Sequence, residues 1–141
     1  MRAATLAVVS LFALALPARA PCSSLFCSCQ GPRDPAAAYR AAEAVFEGHA
    51  TWIRLGPHGL PLVSIRVTQV WKGHLQDSLE IVGSLNGNDC RYWFRRGRAY
   101  LVYAWPSTTE LGILTTGICS RTGPLDSVSV DLAFLRGLAK P

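Results

Sequence analysis

The sequence predicts a mainly β chain, α+β or all-β in class and folded as a small barrel, and three observations predict it. From residue 44 to about residue 120, stretches of two-residue alternation rich in β-branched and aromatic residues recur at short intervals, divided by Gly, Pro and Asn turn segments. Helix-forming patterns occur once before these stretches and once after them. Five cysteines (Cys22, Cys27, Cys29, Cys90 and Cys119) stand in a chain whose opening reads as an export signal, so disulfides are the expected cross-links.

That opening is "MRAATLAVVSLFALALPARA". Arg2 gives a short positive start, Ala3 to Leu16 an apolar run, and "ARA" at 18–20 the small residues a signal peptidase requires. The run falls short of the roughly 20 residues that span a bilayer, so cleavage rather than a stable membrane span is expected. Residues 1–20 are therefore read as a signal peptide and 21–141 as a single secreted domain, extracellular or periplasmic. The full chain carries 14 basic and 9 acidic residues; without Arg2 and Arg19 the balance is 12 against 9, or +3. So mild a charge does not force a nucleic-acid or a membrane reading.

Asp34 and Pro35 start the first helix, the acid as cap and the proline at the first helical position, and "AAAYRAA" continues it to about Ala44. "AVFEGHATWIR" is the first strand. "PLVSIRVTQVWKG" is the second, with Val63, Ile65 and Val67 on one face and Ser64, Arg66 and Thr68 on the other; "LGPHGLP" joins the two as a hairpin loop. "DSLEIVG" is a third strand, followed by a turn at "SLNGND". "RAYLVYAW" is a near-continuous apolar run and so a strand buried on both faces, and "LGILTTGICS" is a fifth strand running up to Cys119. In the tail, Val128, Leu132, Leu135 and Leu138 stand at helical spacing. At least two of the four tryptophans are expected to fill the barrel.

Cys27 and Cys29 are one residue apart. In an extended segment such residues point the same way, about 7 Å apart, which suits two separate partners better than each other. Cys90 and Cys119 are the available partners. Two bridges to the barrel would each close a long loop, worth on the order of 4 kcal/mol. The odd thiol permits a disulfide-linked dimer through Cys22.

This CxC, followed in order by "AAEAVFEGHA", "VTQVWKG", "CRYWFRRGRAYLVYA", "GICSRTGPL" and "DLAFL", resembles the tissue inhibitors of metalloproteinases. The likeness is closest to the short bacterial relatives that share their netrin-like domain, and it covers about residues 27–135. It implies a five-stranded OB barrel with flanking helices. It also implies the pairings Cys27–Cys90 and Cys29–Cys119, and a target-binding ridge of Cys27, Ser28 and Cys29. In that family the first cysteine of the CxC is the mature N-terminus. Its α-amine and carbonyl oxygen chelate the zinc of the target protease and displace the hydrolytic water, while the next side chain enters the specificity pocket. Here Phe26 precedes Cys27, a poor site for signal peptidase, whereas cleavage after Ala18 or Ala20 leaves at least six residues ahead of Cys27. With those residues in place the Cys27 nitrogen is an amide, and the expected role is instead an extracellular or envelope module that binds another protein.

The remaining residues suggest no enzyme. No GxSxG or HExxH motif occurs, Ser28, Ser64 and Ser84 have no identifiable base, and the CxxC pairs of a zinc module are missing. No cofactor is implied. His49, His58 and His74 are scattered, and Asp77, Glu80 and Asp89 read as turn and strand-rim acids. "RYWFRRGRAY" interleaves arginines with aromatics in the manner of a single-strand nucleic-acid binder. Export and the low charge instead favour a hairpin with its aromatics inward and its arginines in water.

Overall fold

Strand β1 (Ala44–Leu55) is the element on which the barrel closes: it pairs antiparallel with β2 (Pro61–Lys72) along its length and with β4 (Ala99–Pro106) over Ala44–His49. The computed structural model describes residues 27, 29–32, 34–84 and 90–139. The remaining elements are α1 (Pro35–Ala41), β3 (Ser78–Val82), β5 (Leu114–Thr115), β6 (Gly123–Pro124), a 3-10 turn at Leu125–Ser127 and α2 (Ser129–Leu138). The hydrogen-bonded order β1-β2-β3-β5-β4 returns to β1, which closes a five-stranded OB-type barrel; β6 is an outer strand on β4. To serve two partners β1 must coil, and its register shifts beside Phe46, Gly48 and Trp52 supply the bends. Gly48 sits where a Cβ would meet the Ile65 side chain and the Arg66 carbonyl.

Two apolar layers form on the two faces of β4. Phe46, Ala50, Val63, Ile65, Ile81, Phe94, Tyr100 and Val102 fill the barrel. Outside it, Leu101 and Tyr103 meet Val45, Ala38 and Ala42 on one side and Leu132 and Leu135 on the other, so both helices lie on this wall. The apolar run of β4 is thus buried on both faces, as its composition required. Asp34 caps α1, its carboxylate accepting from the Ala37 N–H at 2.8 Å, with Pro35 in the first turn. At the other end of α1 Lys72 points its Nζ at the carbonyls of Tyr39, Arg40 and Ala42, placing a cation at the negative end of the helix.

Four expectations need correction. Helix α1 ends at Ala41, three residues early, because Ala42 is extended and the chain beyond is drawn into pairing with β4 through Glu43 N–H to Ala104 C=O. The fifth strand is two residues long rather than ten. After Thr115, side-chain hydroxyls replace the sheet ladder: Thr116 Oγ1 donates to the Tyr103 carbonyl, Tyr103 N–H donates to Thr122 Oγ1, and Ser120 lies between them. No tryptophan fills the barrel. Trp52, Trp93 and Trp105 are exposed and Trp71 is half-buried, since Phe46, Phe94 and Tyr100 already occupy the interior. Leu138, at the last residue of α2, is exposed. The "SLNGND" turn lies largely outside the described residues.

Helix α2 is fixed by a buried charge. Arg121, at φ 71°, grips the Asp131 carboxylate with Nε and Nη2 at 2.8 and 2.7 Å, and the Tyr103 hydroxyl donates to the same group at 2.9 Å. This fork is bidentate, and it leaves the buried Asp131 oxygens satisfied. Asp131→Ala is expected to cost about 3 kcal/mol by stranding the guanidinium and the phenol. Urea unfolding should show a lower midpoint with an unchanged slope.

Burial, and then the hydrogen bond to Asp131, raise the Tyr103 phenol well above its ordinary value; burial, and then the neighbouring Tyr100, push Tyr92 up to about 12. The folded protein therefore holds these two protons more tightly than the unfolded chain does. The resulting stability is complete below pH 10.0, the unperturbed tyrosine value, and drains away as the pH climbs towards 12 and beyond. Ultraviolet difference titration of the native protein should show phenols that resist ionisation between pH 10 and 12 and ionise at once on unfolding, with Tyr92→Phe and Tyr103→Phe each removing one.

Candidate functional site

The CxC segment is seated on a rim that the barrel prepares for it. Residues 90–92 run antiparallel beside 116–118: the Ile118 N–H donates to the Cys90 carbonyl at 3.1 Å, Arg91 bridges Gly117, and the Tyr92 N–H donates to the Thr116 carbonyl. Cys90 adopts φ 61°, a left-handed turn at the start of this segment. Cys90 and Cys119 are thereby brought side by side, and two cysteines two positions apart can reach both. The structure joins Cys27 to Cys90, with Cα atoms 5.5 Å apart, and Cys29 to Cys119, at 5.1 Å. The disulfides fit an oxidising, extracellular compartment.

Past the second bridge the chain lies directly on the rim. A Cβ on Gly31 would overlap the Cys119 carbonyl oxygen, so only glycine permits this approach. Pro32 follows and leads to the Asp34 cap. Between this segment, α1 and the barrel is a small apolar crevice of about 170 Å³, lined by Gly31, Pro32, Ala38, Tyr103, Trp105 and Cys119 among others. Cys29 is exposed and Cys27 half-buried. Beside them Ile118 and Trp105 present apolar surface to solvent, the Trp105 ring passing close to Gly117. The result is a narrow, covalently anchored ridge with an apolar shoulder.

Ser28, the middle of the proposed ridge, and Cys22 lie outside the described residues, as does Asp89. Ser84 is buried and Ser64 half-buried on β2. His58 pairs with the buried Glu110 at 2.8 Å, tying the β1–β2 hairpin to the β4–β5 loop; His49 and His74 stand apart from it on β1 and after β2. Glu80 forms a two-pronged pair with Arg54. Among the described residues no three His, Cys, Asp or Glu side chains gather where one metal ion could sit, and no helix is long and apolar enough to cross a membrane. A larger hollow of about 610 Å³ lies between the turn after β2 and the start of β5, and none of the half-cystines lines it.

The aromatic hairpin divides by alternation. Tyr92 and Phe94 pack edge-on with Tyr100, ring centroids 4.8 to 5.7 Å apart, while Trp93, Arg95 and Arg96 face outward. Sequence reasoning missed Gly31, Trp105 and Ile118. Only Gly31 had a local signal, as a glycine two residues after a cysteine, and that was legible only as a breaker. No family model matches the chain, and no curated protein matches it.

Replacing Cys29 and Cys119 together by Ser is expected to cost about 4 kcal/mol, and replacing Cys27 and Cys90 together about the same, since each bridge closes a long loop. Denaturant midpoints of the two double variants against the parent measure this directly.

Proposed function

We propose that the protein is an exported inhibitor of zinc metalloproteases, akin to the tissue inhibitors and their netrin-like relatives, acting through the ridge Cys27–Ser28–Cys29. The observation that carries the reading is the anchoring of both CxC cysteines, two positions apart, to two neighbouring half-cystines on an exposed rim. A segment fixed in this way loses little freedom when it enters a protease cleft, so more of its contact energy appears as affinity. With Cys27 as first residue, its α-amine is free and ionises near pH 7.7–8.0, in the range roughly expected of an N-terminus, so a neutral amine is available to the metal. The carbonyl of the same residue supplies the second ligand, and the target's water is displaced. Ile118 and Trp105, on the shoulder, add apolar contact area. The protein itself contributes no metal and catalyses no step.

Phe26 directly before Cys27 favours a second reading. If residues 21–26 remain, the ridge is an anchor, and the barrel serves as an extracellular or envelope module for another protein partner.

One experiment separates the two. Protein beginning at Cys27 should inhibit a zinc endopeptidase from a test panel at nanomolar concentration, and acetylation of its α-amine, or one Ala added before Cys27, should abolish inhibition. Inhibition that survives either block contradicts chelation by Cys27. No inhibition by the Cys27-initiated protein across the panel removes the inhibitor reading.

A further inference from the structure

The outward face of the aromatic hairpin has the make-up of a site for an anionic lipid surface. Trp52 on β1 is 59% exposed and Trp93 is 48% exposed, and each is faced by an arginine from one short turn. The Arg96 guanidinium lies 3.7 Å from the centre of the Trp52 ring and that of Arg95 5.3 Å from the Trp93 ring. Trp93 and Arg96 are three positions apart, so the two pairs start within about 11 Å of each other along the backbone.

The backbone beneath is fixed. Arg98 N–H donates to the Arg95 carbonyl to close the turn, with Gly97 at φ 79° in the position that favours glycine. Gly97 N–H and Ala50 carbonyl, and Ala50 N–H and Arg98 carbonyl, pin the turn to β1. The Arg95 N–H donates to the buried Tyr100 hydroxyl at 2.8 Å. The aromatic pairs are thus held in place before any ligand arrives.

Charge decides the sign of the partner. Arg54 is taken by Glu80 and Arg98 by Asp126, whereas Arg95 and Arg96 make no ion pair among the described residues. Two unneutralised guanidiniums beside two exposed indoles call for a partner that is anionic at one level and apolar just below it. A sulfated polysaccharide answers the charge and leaves the indoles unexplained; a single strand would stack on them, but in the oxidising compartment that the disulfides fit it is the poorer candidate. The headgroup layer of an anionic bilayer answers both, since tryptophan prefers the interface and arginine the phosphates above it.

The geometry points to peripheral docking of this face, Trp52, Trp93, Arg95 and Arg96, on membranes rich in anionic phospholipid. The test is co-sedimentation of the full exported protein with vesicles of phosphatidylcholine alone and of phosphatidylcholine mixed with phosphatidylglycerol, while following tryptophan emission. Binding to the mixed vesicles only, weakened by salt and with a blue shift, is expected. Arg95→Gln and Arg96→Gln should each weaken it about fivefold and together roughly thirtyfold. Trp52→Ala with Trp93→Ala should remove the blue shift. Near-ultraviolet circular dichroism checks that the variants fold, and Arg95→Lys with Arg96→Lys, which keeps the charge, should retain most of the binding. Equal binding to both vesicle types, or none to either, overturns the proposal. So does arginine-dependent binding to heparin or to oligothymidylate without binding to vesicles.

Discussion

The structure turns on one covalent constraint: two bridges leaving residues two apart and landing on half-cystines that the barrel holds next to each other. Cys90 and Cys119 are neighbours because the Ile118 N–H donates to the Cys90 carbonyl, and that contact exists because the chain after Thr115 leaves the sheet. The hydroxyls of Thr116 and Thr122, linked through that of Ser120, satisfy the Tyr103 backbone where a longer β5 would have done so. They leave residues 117–119 free to form the rim. Arg121, two residues further on, adopts positive φ and clamps α2 through the buried Asp131. Rim, hydroxyl cluster and closing helix are therefore one unit built on the outer wall of β4.

This arrangement explains what the recognisable motifs are for. Lys72 of "VWKG" caps α1, and Trp71 donates to Glu47 on β1. Gly97 makes the turn and Phe94 fills the barrel. Arg121 and Thr122 of "CSRT" hold α2 and β4. Nearly every residue that carries the resemblance does architectural work. A likeness built on such residues speaks strongly for the barrel and only indirectly for what the ridge touches. The positions proposed to face a target are the ones whose identity the architecture leaves open, Ile118 and Trp105 being exposed beside the two bridges.

The same distinction governs what could be read in advance. Alternation located β1 and β2 within a residue or so, and the apolar run located β4, because local periodicity reports burial directly. The Asp34 cap was legible because a single side chain makes it. The length of β5 was not, since Thr and Ser are good strand residues and only the tertiary position of Tyr103 turns their hydroxyls to its backbone. Nor was the exposure of the tryptophans. Large aromatics are assigned to cores by composition, but this barrel is already full with Phe46, Phe94 and Tyr100. In the candidate site the cysteine spacing was legible, whereas the Gly31 contact with Cys119 depends on two segments far apart in sequence.

The most direct measurement is a disulfide map of the unreduced protein, by partial reduction, stepwise alkylation and peptide mass spectrometry. The expected map links Cys27 to Cys90 and Cys29 to Cys119, with Cys22, where present, outside both bridges. A Cys27–Cys29 link, crossed partners, or Cys22 in place of either ridge cysteine would contradict the seating of the ridge on this rim.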